Sequence, residues 1–184
     1  MEFLLKSIMH ASQSGCHLPA VVTALTVPDI AAAVDAGLTN RKYYAEWVDK
    51  WFVPAFPGYT KHGIDGLALY SLRCKLLHEG LSSPSLASAA QGSSAAARKK
   101  LIAFNVAGNM FVHLITSKDA KGDSWTGLDA RRFCEEMVSA GRNWMTSRAN
   151  DPAAIQRLST LVDIRMDVPP ISSGIPMMCA AIEK

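Results

Sequence analysis

The chain has 184 residues, 49% hydrophobic and 19% charged, with 12 Gly and 9 Pro, a composition that excludes a disordered, collagen-like or heptad-repeat protein. At this length about 70% of the unfolded surface can be buried, so one core suffices without staples, and residues 1–184 are read as a single domain. The net charge of +3, spread without long runs of like sign, permits nucleic acid binding but does not argue for it. Cys16, Cys74, Cys134 and Cys179 form no C-x-x-C pair and no disulfide spacing, which predicts a reducing, cytoplasmic setting. The opening apolar stretch is broken at Lys6-Ser7, unlike a signal-peptide core. Residues 18–27 fall short of the ~18 that a membrane span requires, so neither export nor membrane insertion is expected.

In chain order, Pro28-Asp29 is a helix-start signal, because proline fits the first turn and a carboxylate there complements the helix dipole. Residues 18–36 are therefore predicted as two short helices meeting near Val27. Gly37 ends the second through a left-handed cap, and Thr39 or Asn40 caps the next. That third helix runs to about Phe52 with Tyr44, Trp47, Val48 and Trp51 on one face. Residues 63–78 carry two apolar stripes, Leu67, Tyr70, Cys74 and Leu77 beside Leu69, Leu72 and Leu76, which predicts a central helix apolar around most of its circumference. Residues 82–97, mostly Ser and Ala, are expected to be a flexible connection.

Apolar runs at 101–106 and 110–116 flank Ala107-Gly108-Asn109 and predict an antiparallel hairpin; the alternation over 162–168 predicts a third strand. Between them 125–148 reads as one long helix with Phe133, Met137, Ala140 and Trp144 inward. Asp151-Pro152 opens a last helix with Ile155, Leu158 and Leu161 inward, and 169–184 reads as an irregular tail. The fold class is mainly α, a helical bundle with a small antiparallel β-hairpin or sheet insertion.

The motifs with the most specific spacings are missing. His10, His17, His62, His78 and His113 form no i, i+4 pair, there is no phosphate-cradling glycine loop, and Lys121 spoils the calcium-loop likeness of 117–123. Neither a metal nor a cofactor is expected. Tyr43, Tyr44, Trp47 and Trp51, with Arg41 and Lys42 beside them, read first as a core stripe and second as a base-stacking surface.

Arg73 stands out. Its neighbours at i±3 and i±4 are Leu69, Tyr70, Leu76 and Leu77, and a buried charge without a partner is strongly unfavourable. Either its stem crosses the leucines to water, or it pairs with a core carboxylate such as Asp65, or the face opens onto a pocket or a second subunit. Five residues on, at the helix end, stands His78.

Arg73-x4-His78, set in Gly63-Ile-Asp-Gly-Leu-Ala-Leu-Tyr-Ser-Leu-Arg-Cys-Lys-Leu-Leu-His-Glu-Gly80, resembles the central helix of the HEPN superfamily and of a bacterial branch within it. The resemblance covers about Thr39 to Gly80. Ribonuclease members carry an arginine and a histidine four to six residues apart near the end of that helix. The resemblance implies a HEPN-type bundle and a homodimer that brings both pairs to one cleft. It also implies metal-independent cleavage of RNA, with Arg73 and His78 as catalytic residues. Cys74 departs from the polar residue that often follows the arginine in those members. On a continuous helix, residues five apart lie about 140° apart around the axis, so one chain alone does not set the pair on one face. Two readings stay open: the endoribonuclease, or a non-catalytic relative that binds RNA or a cognate protein. In the second, Arg73 closes an internal ion pair and His78 caps the helix C-terminus.

Overall fold

The structure is a computed structural model and describes residues 1–79, 100–106, 112–118, 124–161, 163–164 and 178–179. The expected connection at 82–97, the turn at 107–109 and most of the tail from 169 lie outside the described residues.

Three helices open the chain: α1 (Glu2–Gln13), α2 (His17–Ala24) and α3 (Val27–Ala36). Pro28 lacks the N–H that would continue α2 and sits in the first turn of α3, so the break falls where the sequence places it. His17–Ala36 has the length and apolar composition of a membrane span. It is nevertheless two helices, and half of that window is buried inside the fold. Gly37, at φ +76°, supplies the left-handed cap of α3. Asn40 then accepts from the N–H groups of Lys42 and Tyr43 at 2.9 and 3.1 Å to start α4 (Arg41–Trp47). The helix goes on as a wider π turn over Val48–Phe52, closed by Val53 N–H to the Val48 carbonyl at 2.9 Å. The single turn α5 (Gly58–Lys61) leads to α6 (Gly66–Glu79).

Helix α6 crosses α4 with the backbones in contact: a Cβ on Gly66 would stand 2.3 Å from the Ala45 carbonyl oxygen. Of its two apolar stripes only Leu69, Leu72 and Leu76 are buried, while Tyr70 and Cys74 are half-buried and Leu67 and Leu77 exposed. The expectation of a helix enclosed on most sides is corrected, because α6 lies at the edge of the bundle and one stripe faces outward.

The centre belongs to α7 (Ala130–Ser147). Phe133, Cys134, Met137, Ala140 and Trp144 are all fully buried, and α1, α2 and α3 pack on it. Burial pushes the Cys134 thiol up to about 12, which leaves it protonated and inert. After α7, Asp151 caps α8 (Pro152–Ser159) through the N–H groups of Ala153 and Ala154. This helix rests on Ala154 and Leu158, and Ile155 is exposed rather than inward.

The sheet differs most from expectation. Strands β1 (Lys100–Asn105), β2 (Ile115–Lys118) and β3 (Ser124–Asp129) lie in the order β1-β3-β2, with β1 parallel and β2 antiparallel to β3. The expected hairpin between 101–106 and 110–116 is therefore not formed, because β3 stands between its two arms. Strand β3 occupies residues read as the start of the long helix, which begins instead at Ala130 behind the Asp129 cap. Of the expected strand at 162–168 only 163–164 are described, and they do not join this sheet: β4 (Asp163–Ile164) pairs with β5 (Met178–Cys179) in a separate two-stranded ladder.

Candidate functional site

Arg73 does find a carboxylate, but from another helix than the sequence suggested. Its Nε lies 2.9 Å from Asp29 Oδ2, while Asp65 caps α6 by accepting from Ala68 N–H at 2.8 Å. The reason is local. Asp65 stands at the start of α6, where unpaired N–H groups claim it, and eight residues separate it from Arg73, about 12 Å along the axis. Asp29 comes across from the first turn of α3, where the helix dipole favours its charge, and its Oδ1 accepts from Thr39 Oγ1 at 3.1 Å.

Burial is the largest influence and lowers the Arg73 pKa, but the charge and hydrogen bond of Asp29 and the contact with Cys74 together outweigh it and hold the guanidinium above its ordinary value. The Tyr44 phenol beneath is pushed well up, first by burial and then by Asp29, so it stays neutral and donates to the Leu25 carbonyl at 3.1 Å. Tyr70 stacks edge-on against Tyr44 and is raised by its hydrogen bond with Cys74 and by burial. Arg73 Nη1 is 3.9 Å from Cys74 Sγ, a weak contact. The side chain is 23% exposed, and only its Nε is committed to Asp29, which leaves guanidinium donors for an anion that reaches it.

His78 is exposed in the last turn of α6 and makes no hydrogen bond or ion pair among the described residues. Because α6 runs unbroken to Glu79, Arg73 and His78 stay about 140° apart around the axis and about 7.5 Å apart along it. One chain does not bring them to a common face.

A second polar cluster escaped the sequence reading. Glu136, on the buried side of α7, accepts from Tyr59 Oη at 2.7 Å and from Arg132 Nε at 2.9 Å. His113 lies with its Nε2 3.4 Å from Glu136 Oε2, too far for a full hydrogen bond. Its Nδ1 accepts from Asp129 N–H at 3.2 Å, which leaves the proton on Nε2, aimed at the carboxylate. Burial raises the Glu136 pKa, but contacts from His113, Tyr59 and Arg132 outweigh this and hold it below its ordinary value. Burial and the neighbouring carboxylate push the Tyr59 phenol far up. Tyr59, His113 and Glu136 are all enclosed, so the cluster ties α5, the entry to β2 and α7 together and presents no surface to a ligand. Its one sequence signal is Glu136 itself, three residues after the core residue Phe133 and next to Met137.

Among the described residues no group of three His, Cys, Asp or Glu side chains converges as a metal site. No family model, curated protein or solved structure matches the chain.

Proposed function

We propose that the protein is a metal-independent endoribonuclease of HEPN type, cytoplasmic and homodimeric, with Arg73 and His78 at a cleft between two copies. The observation that carries this reading is α6 itself: a partly exposed arginine side chain, fixed at Nε by Asp29, lies on the same helix as a solvent-facing imidazole. Leu67 and Leu77 on that helix are exposed, apolar surface of the kind a second copy would cover. A two-fold axis beside α6 would supply the shared face that the 140° separation denies to one chain.

In this mechanism the ribose 2′-oxygen attacks the adjoining phosphorus as the bond to the 5′-oxygen breaks. His78 takes the 2′-hydroxyl proton and an imidazole returns one to the leaving 5′-oxygen, giving a 2′,3′-cyclic phosphate and a 5′-hydroxyl. Arg73 balances the charge that builds on the non-bridging oxygens. Purified protein is expected to cleave single-stranded RNA in EDTA, with His78→Ala inactive and folded. Wild-type rates in His78→Ala would place the activity elsewhere.

The Arg73–Asp29 ion pair also favours a second reading, a non-catalytic relative that binds RNA or a cognate protein, in which Arg73 serves the fold. Inactivity of the wild type across varied RNAs selects it.

A further inference from the structure

We infer that the protein holds a base-binding pocket for single-stranded RNA where α3 meets α4 and the π turn, apart from the Arg73–His78 pair. A cavity of about 160 Å³ opens there, walled by Tyr43, Trp47 and Trp51 and bordered by Lys50, Asp35 and Glu46. Its volume is below the ~300 Å³ of pockets for drug-sized ligands, so it suits one planar ring system rather than an extended molecule. Trp47 lines the cavity from the core side, with its indole N–H buried beneath the surface. Tyr43 and Trp51 are only half-buried. The π turn, by widening the helix at Val48–Phe52, sets both Lys50 and Trp51 at the cavity.

Charge decides what kind of ring enters. Aromatic walls with carboxylates ordinarily suit a cation, but here both carboxylates are already engaged. Asp35 receives Arg148 Nε and Nη2 at 2.7 and 3.0 Å and the Trp144 indole N–H at 3.1 Å. Glu46 lies 3.9 Å from the Lys42 ammonium. Lys50 is the lining charge left over; its ammonium rests 5.4 Å above the Trp51 ring, and Lys42 rests 5.8 Å above Tyr43. Flat faces with one surplus ammonium group, that of Lys50, fit a planar group that carries acceptors and a neighbouring anion, which is a nucleotide base with its phosphate. A base entering the cavity replaces Lys50 on the Trp51 face, and the released ammonium turns to the phosphate.

The pocket also lies in line with the arginine. Asp29, Ala32 and Ala36 stand at i, i+3 and i+7 on one face of α3; Asp29 holds Arg73, and Ala32 and Ala36 line the cavity. Asp29 and Ala32 are themselves buried, so α3 fixes the spacing between the arginine and the cavity without being the path between them. The inference rests on RNA as the ligand, not on cleavage.

The test uses the full chain carrying His78→Ala, in EDTA, with fluorescein-labelled oligoadenylate and a matched oligomer of abasic ribose phosphates, read by anisotropy. Trp51→Ala is expected to weaken oligoadenylate binding by about five- to 150-fold, the range of one lost stack, with most of the loss restored in Trp51→Phe. The abasic strand should bind weakly and be indifferent to Trp51→Ala. Lys50→Gln, an exposed position that leaves packing intact, should reduce the slope of log affinity against log salt by about one. Equal losses on both strands, an unchanged affinity in Trp51→Ala, or an unchanged salt slope in Lys50→Gln would overturn the pocket. So would absence of RNA binding in the parent protein, which would leave the aromatic face to a protein partner. Trp51-dependent binding by a protein that never cleaves keeps the pocket and removes the ribonuclease. Cleavage and binding indifferent to Trp51 do the reverse.

Discussion

Two arginine–carboxylate clusters in this protein have similar bond lengths and different fates. Arg73–Asp29 and Arg132–Glu136 each close at 2.9 Å through Nε. The first joins α6 to α3 at the edge of the bundle, with only a threonine and a weak thiol contact besides. The second reaches an almost fully buried carboxylate that also receives a tyrosine hydroxyl and faces a histidine. A cluster whose carboxylate is enclosed by two further buried side chains, Tyr59 and His113, holds elements together even though Arg132 itself is 55% exposed. One that leaves an edge uncommitted can do so and still meet a ligand. On that ground Tyr59, His113 and Glu136, although they contain the residue types of acid–base chemistry, are read as a brace, and Arg73 as the chemical group.

The sharpest way to break the comparison is the histidine. In His78→Ala cleavage should fall by about 10²- to 10⁴-fold, the usual worth of a general acid–base, with the thermal midpoint unchanged because the side chain is exposed. Glu136→Ala should show the opposite pattern in urea unfolding, a loss of about 3–5 kcal/mol because it leaves buried Tyr59 and His113 without their partner. A loss below ~1 kcal/mol would mean that the cluster is not a brace.

Acid separates the two clusters further. The folded pKa of Glu136 lies below its ordinary 4.5, so its contribution is fully present above about pH 4.5 and is lost as pH falls through the lower, folded value. Wild-type stability should therefore drop more steeply below pH 4.5 than that of Glu136→Gln, measured as urea midpoints against pH. The smallest effect is expected at the open cluster. Asp29→Asn keeps an oxygen for Arg73 Nε but removes the charge, and should lower kcat/KM for RNA by several-fold with little change in stability. Parallel losses of stability and activity would assign Asp29 to the fold alone.

Much of the helical frame was legible because its signals are local. Pro28 marks the α2–α3 break, Gly37 and Asn40 the turn into α4, and the spacing of Phe133, Met137, Ala140 and Trp144 the buried face of α7. Strand β3 was not legible. Trp125 and Leu128 are three residues apart and extend a helical stripe as readily as a strand, so the register of Asp129 as a cap was hidden. The hairpin misled for a related reason: turn residues between two apolar runs say nothing about a strand inserted between them from later in the chain. At the candidate site, Arg73 and His78 could be picked out as oddities of one helix. The Asp29 partner lies 44 residues away and the Tyr59–Glu136 bond spans 77, separations for which a single sequence offers no periodicity to read.

The π turn carries a consequence for how this chain tolerates change in length. Its wide ring, closed from Val53 to Val48, accommodates one residue more than an α turn would. Deleting a single residue between Val48 and Phe52 would remove that extra residue and let the backbone relax to ordinary α pitch, with the residues beyond the turn keeping nearly their bearing on α4, whereas inserting one more would swing them by about 100°. Phe52, fully buried against Tyr59 and Phe133, would hold its place after the deletion and lose it after the insertion. Around these five positions the chain should therefore tolerate shortening by one residue better than lengthening by one, and homologous chains that lack the wide turn should be one residue shorter there.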